Sequence, residues 1–238
     1  MIKIISKKRS KMYLMDMNLI LRIIFIVIIN SSLSCAREIA GEFIMTRLHY
    51  SGGGDWYANP SSIPNLLEFI DENTNIIVNK KENRAKIGTD EFYRSYFIYL
   101  TGHGNIKFSE TDIHKLRTFL LNGGFMHADD NYGMDKSFRR EMKKVFPDKE
   151  WVELPKNHPI FSSYFTFDNG LPKIHEHNNN RPQALALFEN NKMIALYTYE
   201  SDLGDGWEDQ HVHDNPNELR LQALKMGVNI ISYSMAYE

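Results

Sequence analysis

The apolar positions of this chain change period several times, and each change predicts an element. The stretch "EFIMTRLHY" (42–50) alternates and is rich in β-formers, which predicts a first strand. Three glycines in "SGGGDWYANP" end it. In "SSIPNLLEFIDENT", Ser61 or Ser62 can cap a helix whose inward stripe is Leu66, Leu67 and Ile70. "NIIVN" (75–79) predicts a second strand. "SYFIYLTG" (95–102) is a near-continuous apolar run, the pattern of a strand buried on both faces. "SETDIHKLRTFLLNGG" predicts a helix. Ser109 and Asp112 stand at capping-box spacing, Ile113, Leu116, Phe119 and Leu120 form its stripe, and Gly123 stops it. "GFMHA" is the next strand and "MDKSFRREMKKVF" the next helix, with Phe138, Met142 and Val145 inward.

Strands alternating with helices imply a doubly wound, mainly parallel sheet covered on both faces. The later part differs. "QALALFENNKMIALYTYE" predicts a β-hairpin turning at 189–192, and "NPNELRLQALKMGVNIISYSMAY" a long C-terminal helix. The expected fold class is therefore α/β with an added hairpin and terminal helix.

The N-terminus follows another logic. Lys7, Lys8, Arg9 and Lys11 precede "LILRIIFIVII" (19–29), an apolar run broken only by Arg22, and then "NSSLSCAR". Basic, then apolar, then small is the layout of a secretory signal. The run is shorter than the roughly 20 residues of a spanning helix. A short uncleaved anchor is the alternative, and a start at Met17 would leave 17–34 as a compact signal. Cys35, the only cysteine, follows "SSLS", where a lipoprotein signal places its lipidated residue, although Ser32 stands where such signals usually carry Leu. Plain cleavage after Ala36 is the alternative. Residues 1–36 are thus expected to be a signal peptide, lipoprotein signal or membrane anchor, and 42–238 a single exported, periplasmic α/β domain held at the membrane by the leader or by lipid.

At 238 residues with 42% hydrophobic and 24% charged residues, one domain with a full core is expected. Removing 1–34 takes the 28 Lys and Arg to 22 and the 30 Asp and Glu to 29, a net charge of −7. An acidic domain with no basic cluster is not a nucleic-acid binder.

In an open parallel sheet, ligands sit outside the carboxyl ends of the strands. Four polar clusters fall at such ends: "GGGDW" with Gly53, Asp55 and Trp56; "TGHGN" with His103; "HADDNYG" with His127, Asp129, Asp130 and Tyr132; and "SDLGDGWED" with Asp205 and Trp207. Taken singly, the glycines can serve tight turns alone. "KIHEHN" sets His175 and His177 two apart, on one side of an extended chain, as a pair of ligands for a divalent transition metal. A polar loop bonding locally is the alternative. "HVH" (211–213) repeats the spacing but, beside Asp209, Asp214 and Asn215, reads as a solvated loop. "DLGDGWED" lacks the ligand spacing of a calcium loop. No nucleophile elbow, P-loop or dinucleotide fingerprint is present, and the lone cysteine lies outside the domain.

The segments "TRLHYSGGGDWYANP", "YLTGHGNIKFSE", "LLNGGFMHADDNYGMDKSFRREMKKVFP", "LPKNHPIF", "GLPKIHEH", "YTYESDLGDGWED" and "ALKMGVNII" resemble the domain of unknown function 4159 family. The resemblance runs from about Glu42 to Tyr237. It implies a class I glutamine amidotransferase-like (flavodoxin-like) fold and brings no activity with it. Where amidotransferases carry a nucleophilic cysteine, this chain has His127 to Asp130, so the resemblance does not extend to that chemistry.

The expected function is binding of a small polar ligand or glycan at the carboxyl edge of the sheet. Hydrolysis would use His127, Asp129, Asp130 and His103 as catalytic groups, with Gly53, Asp55, Trp56, Tyr132, Asp205 and Trp207 on the ligand. The alternative is a non-catalytic binding or structural module of a cell-envelope complex. At a strand end, His127 is expected to contribute roughly 1 kcal/mol or less to stability unless it holds a buried hydrogen bond.

Overall fold

The computed structural model describes residues 41–177 and 179–236. The leader, Cys35 and the proposed cleavage site lie outside them. Seven strands form one sheet: β1 (Met45–Leu48), β2 (Asn83–Ala85), β3 (Phe97–Leu100), β4 (Phe125–Asp129), β5 (Val152–Glu153), β6 (Gln183–Glu189) and β7 (Lys192–Tyr199). Their spatial order is β2-β1-β3-β4-β7-β6-β5. The pairs β1–β2, β1–β3, β3–β4 and β4–β7 are parallel, while β6 runs antiparallel to both β5 and β7.

The helices are α1 (Ser62–Asn73), α2 (Glu110–Leu121), α3 (Asp135–Val145), two short ones, α4 (Leu203–Trp207) and α5 (Gln210–His213), and α6 (Asn217–Ala236). Alternation along the central strands sorts them onto two faces. Met45, Phe97, Tyr99 and Phe125 pack with Ile63, Leu66 and Ile70 of α1 and Ala223, Met226 and Ile230 of α6. Ile98, Leu100, Met126 and Ala128 pack with Ile113 and Leu116 of α2 and Phe138 and Met142 of α3. Both faces are covered, so the sheet is doubly wound. Among the described residues no helix is long and apolar enough to cross a membrane.

Local chemistry explains several boundaries. Ser109 and Asp112 form the expected reciprocal cap of α2. The hairpin turns on Asn190 and Asn191, at φ 47° and 65°, the left-handed pair a two-residue turn needs. One strand is misplaced by the sequence pattern. Within 75–79 only Val78 bridges, to Phe43, and β2 comes five residues later in the polar "NRA". "HVH" is not a loop but the end of α5, and "DLGDGW" winds into α4.

Candidate functional site

The carboxyl ends of β4 and β7 lie side by side, with Asp129 opposite Thr198. Asp129 is fully buried. It accepts from the Thr198 hydroxyl, from the Gly204 amide at 2.7 Å and the Leu203 amide at 3.3 Å, and lies 3.4 Å from the Tyr99 hydroxyl. It thus ties α4 to the sheet. A Cβ on Gly204 would stand 2.7 Å from the Tyr99 hydroxyl and 2.9 Å from Asn59 Nδ2, so this approach requires glycine. Burial pushes the Asp129 carboxyl up to about 7, against the pull of its hydrogen bonds.

Around this anchor the chain sets three histidines. His175 Nδ1 lies 3.9 Å from Asp205 Oδ2. His213 Nε2 is 3.5 Å from both Asp205 Oδ1 and Glu208 Oε2. That nitrogen is buried and makes no hydrogen bond among the described residues, so neither contact satisfies it. Ligand atoms of His175, Asp205 and His213 all fall within 4.8 Å of one another. The ligands of a tetrahedral ion stand about 3.4 Å apart, given bonds near 2.1 Å. The His213–Asp205 pair already has that spacing, and His175 must close by about an ångström.

His177 turns elsewhere. Its Nε2 meets Asp202, and its ring lies 4.8 Å from that of His175 and stacks on Tyr132 at 4.5 Å. Burial, with Asp205, Asp129 and Asp130 nearby, pushes Asp202 up to about 10 despite Lys173. Burial and the neighbouring His175 lower His177. Both shifts favour one neutral pair, a carboxylic acid donating to an imidazole.

Supporting residues come from the loop after β1. Asn59 Nδ2 donates to Asp205 Oδ1 at 2.8 Å, and the amide and hydroxyl of Ser61 each donate to Glu208 Oε1 at 3.0 Å. Arg47, 1% exposed, holds this loop by donating to the carbonyls of Ala58 and Asn59 at 2.6 and 3.0 Å. With its amide oriented to donate to these acids, the Asn131 nitrogen stands 3.0 Å from Asp202 Oδ1 and 2.9 Å from Asp205 Oδ1. Tyr132, Glu200 and Asp202 take left-handed φ values of 65°, 59° and 59°, so strained non-glycine backbone gathers here.

The sequence-predicted residues therefore divide. His175, His177, Asp129, Asp205 and Tyr132 meet, joined by Asp202, which the sequence pattern did not single out. Asp130 follows β4, 3% exposed, with Oδ1 making no hydrogen bond among the described residues. Burial, helped by Asp135 and Glu200, pushes it up to about 6. His127 is in the core, not in the cleft. It is 0% exposed and packs between Tyr99 and Trp207 at ring distances of 5.3 and 5.9 Å. Trp207 is also wholly buried, its Nε1 donating to the Ala223 carbonyl, and offers no surface to a ligand. Asp55 and His103 pair with each other at the ends of β1 and β3, Gly53 caps that turn at φ 93°, and Trp56 stacks on His49 at 4.0 Å. Among the described residues no hydrogen bond or ion pair joins this pair to the histidine cluster. Missed by the sequence pattern were His213, Glu208, Asn59 and Arg47. The repeated His-x-His spacing was the only signal for the first.

The fold and site define a doubly wound α/β domain with a histidine–carboxylate cluster at the carboxyl edge of its sheet. The family model described as Domain of unknown function (DUF4159) matches residues 44–235, and the chain belongs to this family. A search of the curated proteins found no match.

Proposed function

We propose that this domain is a metal-dependent hydrolase acting on a small polar ligand or glycan. The observation that carries the reading is the convergence of His175, Asp205 and His213, two imidazoles and a carboxylate, on one point. Three protein ligands leave a position for water, as in catalytic rather than structural zinc sites. A bound divalent ion would supply a water acidified to about neutral pH. The Asp202–His177 pair stands beside it to move the proton, and Tyr132 covers that pair. The charge of the surroundings narrows the ligand. Asp130, Asp205, Glu200 and Glu208 are buried here beside the neutral Asp202, and Lys173 is already paired with Glu200 and Glu176. Even with a dication bound, an anionic substrate meets net repulsion, which favours a neutral one.

Elemental analysis of the purified domain tests the reading. About one zinc, or other first-row metal, per chain is expected. Metal at that stoichiometry with no hydrolysis of ester, amide or glycoside probes would favour the non-catalytic binding module. No metal uptake would sink the proposal. Asn59 supplies a finer check, because its φ of 56° suits glycine while its amide holds Asp205. Asn59→Gly should weaken metal binding by about 10–100-fold, the usual cost of an outer-shell partner, with little change in melting temperature. Equal affinities would remove Asn59 from the site.

We propose further that the domain has a class I glutamine amidotransferase-like fold and is exported. The parallel β2-β1-β3-β4 core with a turn after β4 supports the class I glutamine amidotransferase-like fold. The basic, apolar and small leader supports export, with lipid on Cys35. Labelling cells with a radioactive fatty acid should mark the wild type and not Cys35→Ser, whereas an unlabelled wild type would refute lipidation.

A further inference from the structure

A second cluster lies at the other end of the same loop. β1 pairs with β2 on one side and β3 on the other, so the connections diverge between β1 and β3. In doubly wound sheets that crevice is where ligands bind. The two loops leaving it interlock. Gly54 N donates to Asn105 O at 3.0 Å, Asp55 N to His103 O at 3.2 Å, and Lys107 N to Ser51 O at 2.7 Å. A Cβ at Gly52 or Gly54 would meet the backbone of the opposite loop at 2.7 or 2.6 Å.

What the interlock presents is an oriented imidazole. Asp55 accepts the backbone N–H of His103 with one oxygen and lies 2.9 Å from Nδ1 with the other. That contact takes a proton on Nδ1, so in the neutral ring Nε2 is left as an acceptor. The His103 side chain is 52% exposed, so Nε2 is accessible to a ligand. Beneath the pair, the Tyr50 hydroxyl is buried and unpartnered among the described residues. It points to the same place: a Cβ at Gly102 would stand 2.5 Å from it and 2.7 Å from the Asp55 carbonyl. Burial and the Asp55 charge raise its pKa, keeping it a donor. The crevice therefore offers acceptors at His103 and Asp55, with the Tyr50 hydroxyl buried behind them. Arg140 of α3, whose guanidinium reaches this loop, is committed to Asn105, Ile106 and Glu141. Hydroxyl groups, which donate and accept, match this set, and anions do not. Tyr57, 60% exposed and edge-on to Trp56, adds an aromatic surface beside Asp55.

We propose that the His103–Asp55 pair forms a recognition subsite for a neutral saccharide at the β1–β3 crevice, on the loop that also carries Asn59 to Asp205. The inference rests on reading the ligand as a polar, hydroxyl-rich molecule and does not need the metal. The test uses mature protein freed of metal with EDTA, followed by imidazole nitrogen NMR. Neutral tri-N-acetylchitotriose should shift the His103 resonances saturably, with a Kd of about 1 mM or tighter. Asp55→Asn should weaken this about tenfold or more, the loss expected for a charge-assisted partner, and His103→Gln, which keeps the backbone donor and is followed by titration calorimetry because it has no His103 signal, should do the same if Asp55→Asn does not fold. An anionic galacturonate oligomer should leave His103 unmoved. No saturable shift with the neutral sugar, an unchanged affinity in the variants, or an equal response to the anion would each overturn the proposal. Chitotriose binding in a protein that takes up no zinc would sink the metal reading and leave this one standing.

Discussion

His213→Ala should lower Zn²⁺ affinity by on the order of a hundredfold or more, since an inner ligand is worth at least as much as an outer-shell one. His177→Ala should lower it far less. The two variants separate two ligand sets. The spacing in "KIHEHN" pairs His175 with His177, whereas the geometry pairs His175 with His213 and gives His177 to Asp202. Competition against a chromophoric chelator measures the affinities, and thermal melts supply an independent readout. Metal at a hundred times its Kd stabilises the bound state by about 2.7 kcal/mol. For a domain of this size that raises the wild-type melting temperature by roughly 5–10 °C, a rise His213→Ala should lose. The reverse order of the variants would return the site to the extended His-x-His pair.

The contrast shows where local pattern stops being informative. The buried strands β3 and β4 and the helices α1, α2, α3 and α6 were legible because burial imposes a period on their own residues. The edge was not. β2 is three residues of mostly polar side chains and β5 only two exposed ones, and an edge strand need not show an apolar pattern. The apolar "NIIVN" outcompeted β2 in the pattern, yet its Ile77 is 57% exposed.

The site was legible in place but not in assignment. That polar motifs cluster at strand ends follows from topology, and the sheet brings β4 and β7 together as that rule requires. Which side chain meets which depends on contacts far apart in sequence. Asp129 is held by amides 74 and 75 residues away, and Asn59 reaches Asp205 across 146. The stretch "SDLGDGWEDQHVHD" shows no helix in sequence, and its "HVH" reads as a solvated loop, because its glycines and short turns carry no period. Folded into α4 and α5, it buries Trp207 and turns His213 Nε2 inward.

His127→Ala should destabilise the domain by about 3 kcal/mol at pH 7.5, lowering the melting temperature by roughly 10 °C. The small cost expected of a strand-end group does not apply, because His127 fills space between Tyr99 and Trp207 and holds a buried hydrogen bond. Thr198 spends its proton on Asp129, so His127 Nε2–H donates to Thr198 at 3.0 Å and the chain of bonds ends on the carboxylate. Burial keeps the ring neutral, pulling its pKa down to about 3. The sign of the pH dependence follows. The unfolded chain takes up a proton near pH 6.5 and the folded chain only near 3, so the His127 contribution is complete above 6.5 and falls with acid by about 1.4 kcal/mol per unit. Asp129 and Asp130, raised by burial, act oppositely, holding protons in the folded state that the unfolded chain releases above about 4. Comparing wild type with variant cancels those shared terms to first order. The gap between them should shrink from about 3 kcal/mol at pH 7.5 to about 1 at pH 5, as wild type alone loses its histidine contribution. Urea melts at the two pH values measure it. A gap that stays constant, or a variant as stable as wild type, would mean that the imidazole is charged or solvated and that His127 belongs to the cleft after all.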